Sequence, residues 1–455
     1  MYSYLVFATV GLSLLMYAID STVVSVAFPS FTRDLHSTVL WSAWTISIYF
    51  IAVTVTVPLA GKLGDSLGRK KIFLISLVLF TGSSLACGLA PSIGALIVFR
   101  FIQGVGGACF VPTASGIVAD EFPKSREAAI GLFSSIFTVG AIIGPNLGGW
   151  VVSRYSWRSI FYINVPIGVL LLGAGMLLLK GSRTLFRPRV DLAGFGLLCG
   201  SLLLLMFGLN LAGEGISQRS VLLAGLFVSA SLILAALFFR QEKRALEPVL
   251  DLALLKSKPF AAANMTNLAI GMTMMGAFAF VPLYATSVLG LSTLMSGVIL
   301  TPCSVAMTVS AAATALLLRR WGYRLPMVIG FAGVALTTML LAPGPLSVIM
   351  GDRWGSIRSL LLLLFLNGFV GGMVFPAANN ACIELMPEKV GTVVGLRNMF
   401  RNIGGALGIS IITLILHLNS NPVTGFTIVF IAFGLIFLVS IPFLFLMPAG
   451  RRGWT

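Results

Sequence analysis

The chain has 455 residues, of which 58% are hydrophobic and only 10% are charged. Long apolar runs with so little charge need lipid as their solvent, which excludes a soluble globular protein. The formal net charge of +16 would suit nucleic acid. However, the basic residues are scattered through short loops between apolar segments, so no nucleic-acid partner is expected.

Runs of about twenty apolar residues, the length that crosses a bilayer as a helix, predict an all-α membrane protein with fourteen spans. In chain order the spans lie at about 3–29, 38–60, 72–90, 92–119, 128–152, 160–179, 192–211, 221–240, 260–289, 293–318, 325–343, 357–384, 390–417 and 424–447. The first follows a very short tail and leads straight into the second, so we expect it to be retained rather than cleaved as a signal.

The Lys and Arg residues of the loops predict the orientation of these spans, because cytoplasmic loops carry the positive excess. Twenty-one of them fall in loops on one side and six in loops on the other. An even number of spans places both termini on the more basic side. We therefore expect a multi-pass protein of the plasma or inner membrane with both termini in the cytoplasm.

The segment from Arg100 to Gly149 recurs 264 positions later. Identical residues recur without a gap at Gly104, Gly107, Pro112, Pro123, Gly131, Leu132, Gly140 and Gly144, which match Gly368, Gly371, Pro376, Pro387, Gly395, Leu396, Gly404 and Gly408. Spans four and five therefore correspond to spans twelve and thirteen. Because a shift of eight spans is even, the two copies have the same orientation, as in a parallel repeat.

The repeat predicts two six-helix bundles at residues 1–180 and 259–455, with two extra helices and basic cytoplasmic linkers at 181–258. The copies differ where chemistry could lie, since Arg100 maps onto Leu364 and Pro145 maps onto Ile409. We therefore expect the asymmetric part of the function in the first half.

Few ionisable residues are expected deep in the membrane, namely Asp20, Arg100, Arg397 and Arg401. Each costs about 2.5–3.5 kcal/mol to insert, so each needs a partner or water. Counted along their helices, Asp20 and Arg100 both lie about 12–14 Å below the outer surface. One interpretation makes Asp20 the proton carrier, with its proton uptake set by whether Arg100, water or a cationic substrate lies beside it. The alternative is a static ion pair that lets two polar helices insert.

Arg397 and Arg401 are four residues apart and share one helix face. We expect Arg401 to line a cavity or to brace the interface between the halves. The sequence leaves open which of the two arginines lines the cavity, and Arg397 could instead snorkel to the cytoplasmic surface.

Polar and aromatic residues in spans expected to face the centre predict a substrate cavity. They are Trp44, Tyr49, Gln103, Asn264, Asn267, Asn367 and Asn398, together with Arg401 and the pliable Met275. For each residue alone, ordinary helix packing is the alternative. As a group they favour a largely hydrophobic cavity with few fixed hydrogen bonds.

No enzyme activity, metal or cofactor is expected, and protons would be the coupling ion. The five cysteines lie in apolar segments without metal spacing, and no span offers a nucleophile with a base. A sensor would usually carry a soluble output domain, and the chain shows none.

Residues 61–71 join spans two and three and read GKLGDSLGRKK. The glycines permit a tight turn, and Asp65 can accept hydrogen bonds from a neighbouring helix N-terminus. This loop closely resembles the signature loop of the major facilitator superfamily, although Ser66 stands where that family often has a basic residue. The resemblance implies the major facilitator fold and a cytoplasmic gate formed by Gly61, Asp65, Gly68, Arg69 and Lys70. In the second half, Arg319 stands where an acidic residue would be expected, so an equivalent second gate is not implied.

Two further stretches, at 20–29 and 157–168, resemble motifs of the fourteen-spanner drug:proton antiporter family within that superfamily. RFIQG at 100–104 resembles the fourth-span motif that members of the superfamily use in proton coupling. The resemblance implies that Asp20 and Arg100 carry proton coupling. Residues 140–149 resemble the antiporter motif, formed here by Gly140, Gly144, Pro145, Gly148 and Gly149. It implies a bent, close-packed fifth helix at the interface between the halves, for which a purely structural role is the alternative.

The leading hypothesis is a proton-coupled exporter of hydrophobic or amphiphilic small molecules, of the multidrug-efflux type, that works by alternating access as a monomer in the bilayer. The second is an exporter of lipids or anionic amphiphiles with the same fold, favoured by Arg397 and Arg401. A membrane sensor is a third reading, from another class.

Overall fold

The computed structural model describes residues 2–181, 191–213, 218–245, 257–342, 353–385 and 390–447. Regular secondary structure in these ranges is helical throughout. Helices satisfy every backbone polar group within one segment, which is what lipid requires. Most of the two basic linkers predicted around the extra helices lies outside the described residues.

The helices up to residue 242 begin with two long ones, which lie on either side of the loop predicted between the first two spans. They are α1 (Tyr2–Asp34), α2 (Val39–Leu67), α3 (Arg69–Gly88), α4 (Ile93–Ala108), α5 (Phe110–Glu121), α6 (Arg126–Arg154), α7 (Ser159–Tyr162), α8 (Asn164–Leu178), α9 (Leu192–Gly213) and α10 (Gln218–Glu242). The turn between α2 and α3 depends on Gly68, whose φ of 93° is in the region that favours glycine.

The remaining helices follow the same pattern of long apolar segments. They are α11 (Lys258–Ile270), α12 (Phe278–Ser287), α13 (Thr293–Val298), α14 (Thr301–Trp321), α15 (Arg324–Leu340), α16 (Arg353–Leu385), α17 (Val390–Leu418) and α18 (Pro422–Leu444). A π-helical segment, Gly271–Ala277, joins α11 to α12. Such segments are rare and are frequent at functional sites.

The span predicted at 92–119 is one apolar helical segment of 29 residues in the structure, Ile93–Glu121. Cys109, between α4 and α5, keeps right-handed helical backbone angles. Gly106 and Gly107 precede it, and both glycines are needed for close packing. A Cβ on Gly106 would lie 2.7 Å from the Phe80 nitrogen, and one on Gly107 would lie 2.7 Å from the Tyr17 ring.

Eleven helical segments of the described residues are long and apolar enough to cross a membrane, and two shorter apolar helices occur at Ala193–Leu209 and Arg324–Leu340. Large apolar side chains point outward from them. Leu177 of α8 is 87% exposed and Leu316 of α14 is 82% exposed. An apolar outer surface of this extent requires lipid, so the protein is a multi-pass membrane protein.

The chain divides into two compact units, residues 1–203 with 234–249 and residues 204–233 with 250–455. The core of the first unit contains Leu14, Phe73 and Phe110. In the second unit, Phe331 stacks on Phe437 with ring centroids 4.6 Å apart. The predicted division into two bundles and an extra helix pair stays a prediction.

Candidate functional site

A buried ion pair joins α1 to α4 within the first unit. The Arg100 Nη1 atom donates to the Asp20 Oδ2 atom at 2.7 Å, and the side chains are 1% and 0% exposed, respectively. The two residues predicted to share a depth are therefore in contact. Because an unpaired buried charge is costly, each member compensates the charge of the other.

Further groups besides Asp20 hold the Arg100 guanidinium in place. Its Nη1 atom also donates to Gln103 Oε1 at 2.7 Å, and its Nε atom donates to the Thr45 carbonyl at 3.3 Å. Gln103 follows Arg100 by three residues, so both lie on one face of α4. The guanidinium carbon lies 4.0 Å from the centroid of the Tyr49 ring, a cation–π contact with α2.

The other oxygen of Asp20 accepts two amide donors. Gln103 Nε2 donates to Asp20 Oδ1 at 3.0 Å, and Asn164 Nδ2 of α8 donates to it at 3.1 Å. Both amides also donate to Ser84 Oγ of α3, at 3.1 and 3.0 Å. The acid therefore connects side chains from α1, α3, α4 and α8.

The sequence prediction missed Asn164 and Ser84. Asn164 belongs to the 157–168 motif that carries part of the family resemblance, so a signal existed, but the residue was given no site role. Ser84 is one of several serines in an apolar span and gives no such signal.

Both oxygens of the Asp20 carboxylate accept N–H donors. Arg100 donates to one oxygen, and Gln103 and Asn164 donate to the other. Donors of this kind stabilise the negative charge of a carboxylate. A neutral acid at this position would be a weaker acceptor for the same groups.

The predicted antiporter motif packs its glycine face on α1. A Cβ on Gly140 would lie 2.6 Å from the Ala18 Cβ atom, and one on Gly148 would lie 2.7 Å from Val23. A Cβ on Gly144 would collide with the Thr22 side chain. Pro145 lies inside α6, and Gly149 is buried. The glycine face of the motif thus brackets Asp20 within the first unit. Its predicted position at the interface between the halves stays a prediction.

The predicted cytoplasmic gate is described in part. Arg69 Nη1 donates to Asp120 Oδ2 at 2.7 Å and to the Gly116 carbonyl at 3.0 Å, which joins α3 to α5. Lys70 Nζ donates to the Met176 carbonyl at 2.9 Å, near the end of α8. The surroundings of Gly61 and the Asp65 side chain lie outside what the structure describes.

The predicted cavity residues of the first unit are buried. Tyr49 and Gln103 belong to the ion-pair cluster, and Trp44 is buried on the same helix as Tyr49. Gln103 is a structural partner of both charges. Its predicted contact with substrate stays a prediction.

The predicted cavity residues of the second unit fall into two groups. Asn264 and Asn367 are buried: the first donates to the Phe260 carbonyl at 2.9 Å, and the second donates to Thr337 at 2.8 Å. Asn267 is buried beside Arg397. The half-buried members are Met275, Asn398 and Arg401.

Arg397 does not snorkel to the surface. It is 6% exposed, and its Nε and Nη1 atoms donate to Asn267 Oδ1 at 3.0 Å and to Asn379 Oδ1 at 2.6 Å. Its Nη2 atom donates to the Phe375 carbonyl at 3.4 Å. Acceptors from α11 and α16 thus draw the guanidinium inward, although they carry no formal charge.

Solved structures support the fold. The chain is similar to the crystal structure of the human organic anion transporter MFSD10 (TETRAN), with a TM-score of 0.63 and 17% sequence identity. The match covers 97% of this chain and 99% of that one. At this identity the likeness concerns the fold alone.

Curated relatives are more similar in sequence. The tetracenomycin C resistance and export protein of Streptomyces glaucescens is 32% identical over 413 residues, which is 90% of this chain and 74% of the relative. The multidrug transporter protein MdtP of Bacillus subtilis is 30% identical over 90% of this chain and 75% of its own length. Multidrug resistance protein 3 of the same organism is 32% identical over 88% and 77%, respectively.

The sequence model of one family matches residues 10–409 and 344–455 of the chain. This match covers nearly the whole sequence, and the helical architecture, the signature loop and the export proteins among the relatives agree with it. The chain is a transporter rather than an enzyme and belongs to the Major Facilitator Superfamily.

Proposed function

We propose that the protein is a proton-coupled antiporter that exports hydrophobic or amphiphilic small molecules by alternating access. Relatives that bear the names of multidrug and antibiotic export proteins support the export of drugs. The single observation that supports proton coupling is the buried carboxylate of Asp20, held by Arg100 at 2.7 Å. An intramembrane acid is a default candidate for a proton relay.

In the coupling cycle, Arg100 and a proton compete for the Asp20 carboxylate. As a carboxylate it pairs with Arg100, and the pair is neutral overall. A proton that binds Asp20 removes that attraction and leaves Arg100 as an uncompensated buried cation, which favours a different helix arrangement. Substrate release and proton uptake would then alternate between the two faces of the membrane.

The finer topology belongs to this proposal. We place the protein among the fourteen-span drug:proton antiporters, as a monomer in the plasma or inner membrane with cytoplasmic termini. Gly61, Asp65, Gly68, Arg69 and Lys70 would form the cytoplasmic gate. The glycines of α6 would let α1 and α6 approach closely and keep Asp20 in register with Arg100.

Substrate contacts would come from the half-buried members of the predicted cavity set. Met275, Asn398 and Arg401 are partly exposed within the second unit, and a flexible thioether suits apolar ligands of varied shape. The fully buried residues of the predicted cavity set would pack behind the residues that contact substrate and so fix the shape of the cavity.

Transport in proteoliposomes tests the proposal. An imposed proton gradient should drive ethidium against its concentration gradient in the wild type and fail to do so in Asp20→Asn, with ethidium binding retained. Asp34→Asn is the matched control, because Asp34 is an exposed acid at the end of the same helix. Proton-driven ethidium transport by Asp20→Asn would contradict the proposal.

A second candidate function is the export of anionic amphiphiles or lipids, and Arg397 favours it. Among the described residues the guanidinium contacts neutral oxygens of Asn267, Asn379 and Phe375 and no carboxylate. A buried cation without an anion can accept an anionic group. Export of a fluorescent fatty acid that is lost in Arg397→Gln, with ethidium unaffected, would favour this function. Equal fatty-acid export by the wild type and by Arg397→Gln would contradict this second function.

A further inference from the structure

Two buried polar residues beside the ion pair have no role in the proposed coupling cycle. Ser84 lies on α3 and Asn164 is the first residue of α8, and both are almost completely buried. A buried amide or hydroxyl is costly unless its hydrogen bonds are made, so their orientations are informative.

The hydrogen bonds fix the orientation of the hydroxyl and of both amides. The Ser84 hydroxyl donates its single proton to the Phe161 carbonyl at 3.0 Å. Its lone pairs then face Asn164 Nδ2 at 3.0 Å and Gln103 Nε2 at 3.1 Å. Each NH₂ group directs one hydrogen to Ser84 and its second hydrogen to Asp20 Oδ1.

We propose that Asn164, held by Ser84, is a positioning residue that keeps Asp20 ionised and thereby sets the pH range in which it takes up a proton. This inference rests on the proposed function in so far as Asp20 carries the coupling proton. Two donors on one oxygen favour the carboxylate over the acid, because an N–H group binds a charged oxygen more strongly than a neutral one.

The same contacts provide a way to accommodate the proton. When Asp20 is protonated, Asn164 can turn its carbonyl oxygen toward the acid, and the Ser84 hydroxyl can rotate to donate to that oxygen. The rotation releases the Phe161 carbonyl of α7. Protonation of Asp20 in α1 thus changes the hydrogen bonds of the α7–α8 segment through the neutral side chains of Asn164 and Ser84.

Other titratable groups face Asp20 from the packed helices. They are Arg100 of α4, Tyr49 of α2 and Cys87 of α3. From α6, the positions opposite this part of α1 are Gly140 and Gly144. None of these groups is a carboxyl, so a carboxyl vibration that disappears in Asp20→Asn belongs to Asp20.

Infrared titration of the full-length protein in lipid tests the proposal directly. The carboxylic C=O band assigned by subtraction of Asp20→Asn gives the pH at half-protonation. Loss of one hydrogen bond to a charged group predicts that Asn164→Leu raises this midpoint by about one pH unit. Ser84→Ala should raise it by less, since the amide donors remain but lose their support.

The matched control is Asn380→Leu, because the Asn380 amide donates to a carbonyl of its own helix, Pro376 O at 2.9 Å. It should leave the midpoint unchanged. A midpoint in Asn164→Leu that is unchanged or lower would overturn the proposal. If Asn164→Leu does not fold, Ser84→Ala tests the proposal instead, because it removes only one oxygen atom and disturbs the packing less. An unchanged or lower midpoint in Ser84→Ala would then overturn the proposal.

The infrared midpoint also separates this inference from the proposed function. A raised midpoint in Asn164→Leu, combined with proton-driven ethidium export that does not need Asp20, would support the positioning role and contradict proton coupling through Asp20. In a coupled transporter, the pH at half-maximal export should move upward together with the infrared midpoint.

Discussion

Asp20 and Arg397 illustrate two ways in which this chain buries a charge. Asp20 has an ion-pair partner in Arg100 and amide donors on its second oxygen. Arg397 is surrounded by neutral oxygens of Asn267 and Asn379. Removal of one partner from a buried pair leaves the other charge exposed to the full desolvation penalty, whereas removal of both is far less costly.

Stability at the residue scale follows from this asymmetry. Arg100→Ala should destabilise the protein by about 3–5 kcal/mol, because it leaves the Asp20 carboxylate buried and unpaired. The double variant Asp20→Asn with Arg100→Ala should regain much of that loss, although it should not couple transport to protons. Melting temperatures in one detergent check both statements. A double variant less stable than Arg100→Ala alone would show that the pair is not the source of the effect.

At the element scale, the approach of α6 to α1 depends on residues without side chains. Gly140→Ala places a Cβ 2.6 Å from Ala18 and 3.1 Å from the Leu15 carbonyl. Helix propensity alone would favour the substitution by about 1 kcal/mol, so a loss of stability must come from the contact.

The expected result for Gly140→Ala is a lower melting temperature together with weaker proton-driven export, since Asp20 lies on the displaced helix. Gly173→Ala is the matched control on α8, where a Cβ meets nothing within 4 Å. It should be neutral or slightly stabilising. Equal effects of the two substitutions would exclude a special role for the α1–α6 contact.

Much of the site could be predicted from charge and depth. Asp20 and Arg100 stood out because so few ionisable residues lie in the spans, and a helix rises by a fixed length per residue. Ser84 and Asn164 could not be placed in this way, since no periodicity states which faces of α3 and α8 meet. The partners of Arg397 could not be predicted for a similar reason, because its acceptors come from α11 and α16.

At the scale of the whole molecule, the internal repeat preserves packing and changes chemistry. Gly404 and Gly408 of α17 allow contact with the backbone of Leu268 and Met272, much as Gly140 and Gly144 do on α1. The residue that corresponds to Arg100 is Leu364, which is completely buried. The two units thus share a way of packing helices, and the buried pair of Asp20 with Arg100 belongs to the first.

Topology can be tested at the same scale by cysteine labelling in intact cells. In a background without the five native cysteines, Ser420→Cys should react with a membrane-impermeant maleimide from outside. Lys243→Cys should react only after permeabilisation. Both positions are exposed, so accessibility does not limit the comparison. The opposite pattern would reverse the predicted orientation.

Proton movement on addition of substrate is the most direct measurement of coupling. Proteoliposomes that contain a trapped pH-sensitive dye start without any proton gradient, and ethidium is added on one side. Antiport through Asp20 predicts that the wild type moves protons opposite to ethidium and that Asp20→Asn moves none, while Asp34→Asn behaves as the wild type. Proton movement by Asp20→Asn at the wild-type rate would contradict the central role of that carboxylate.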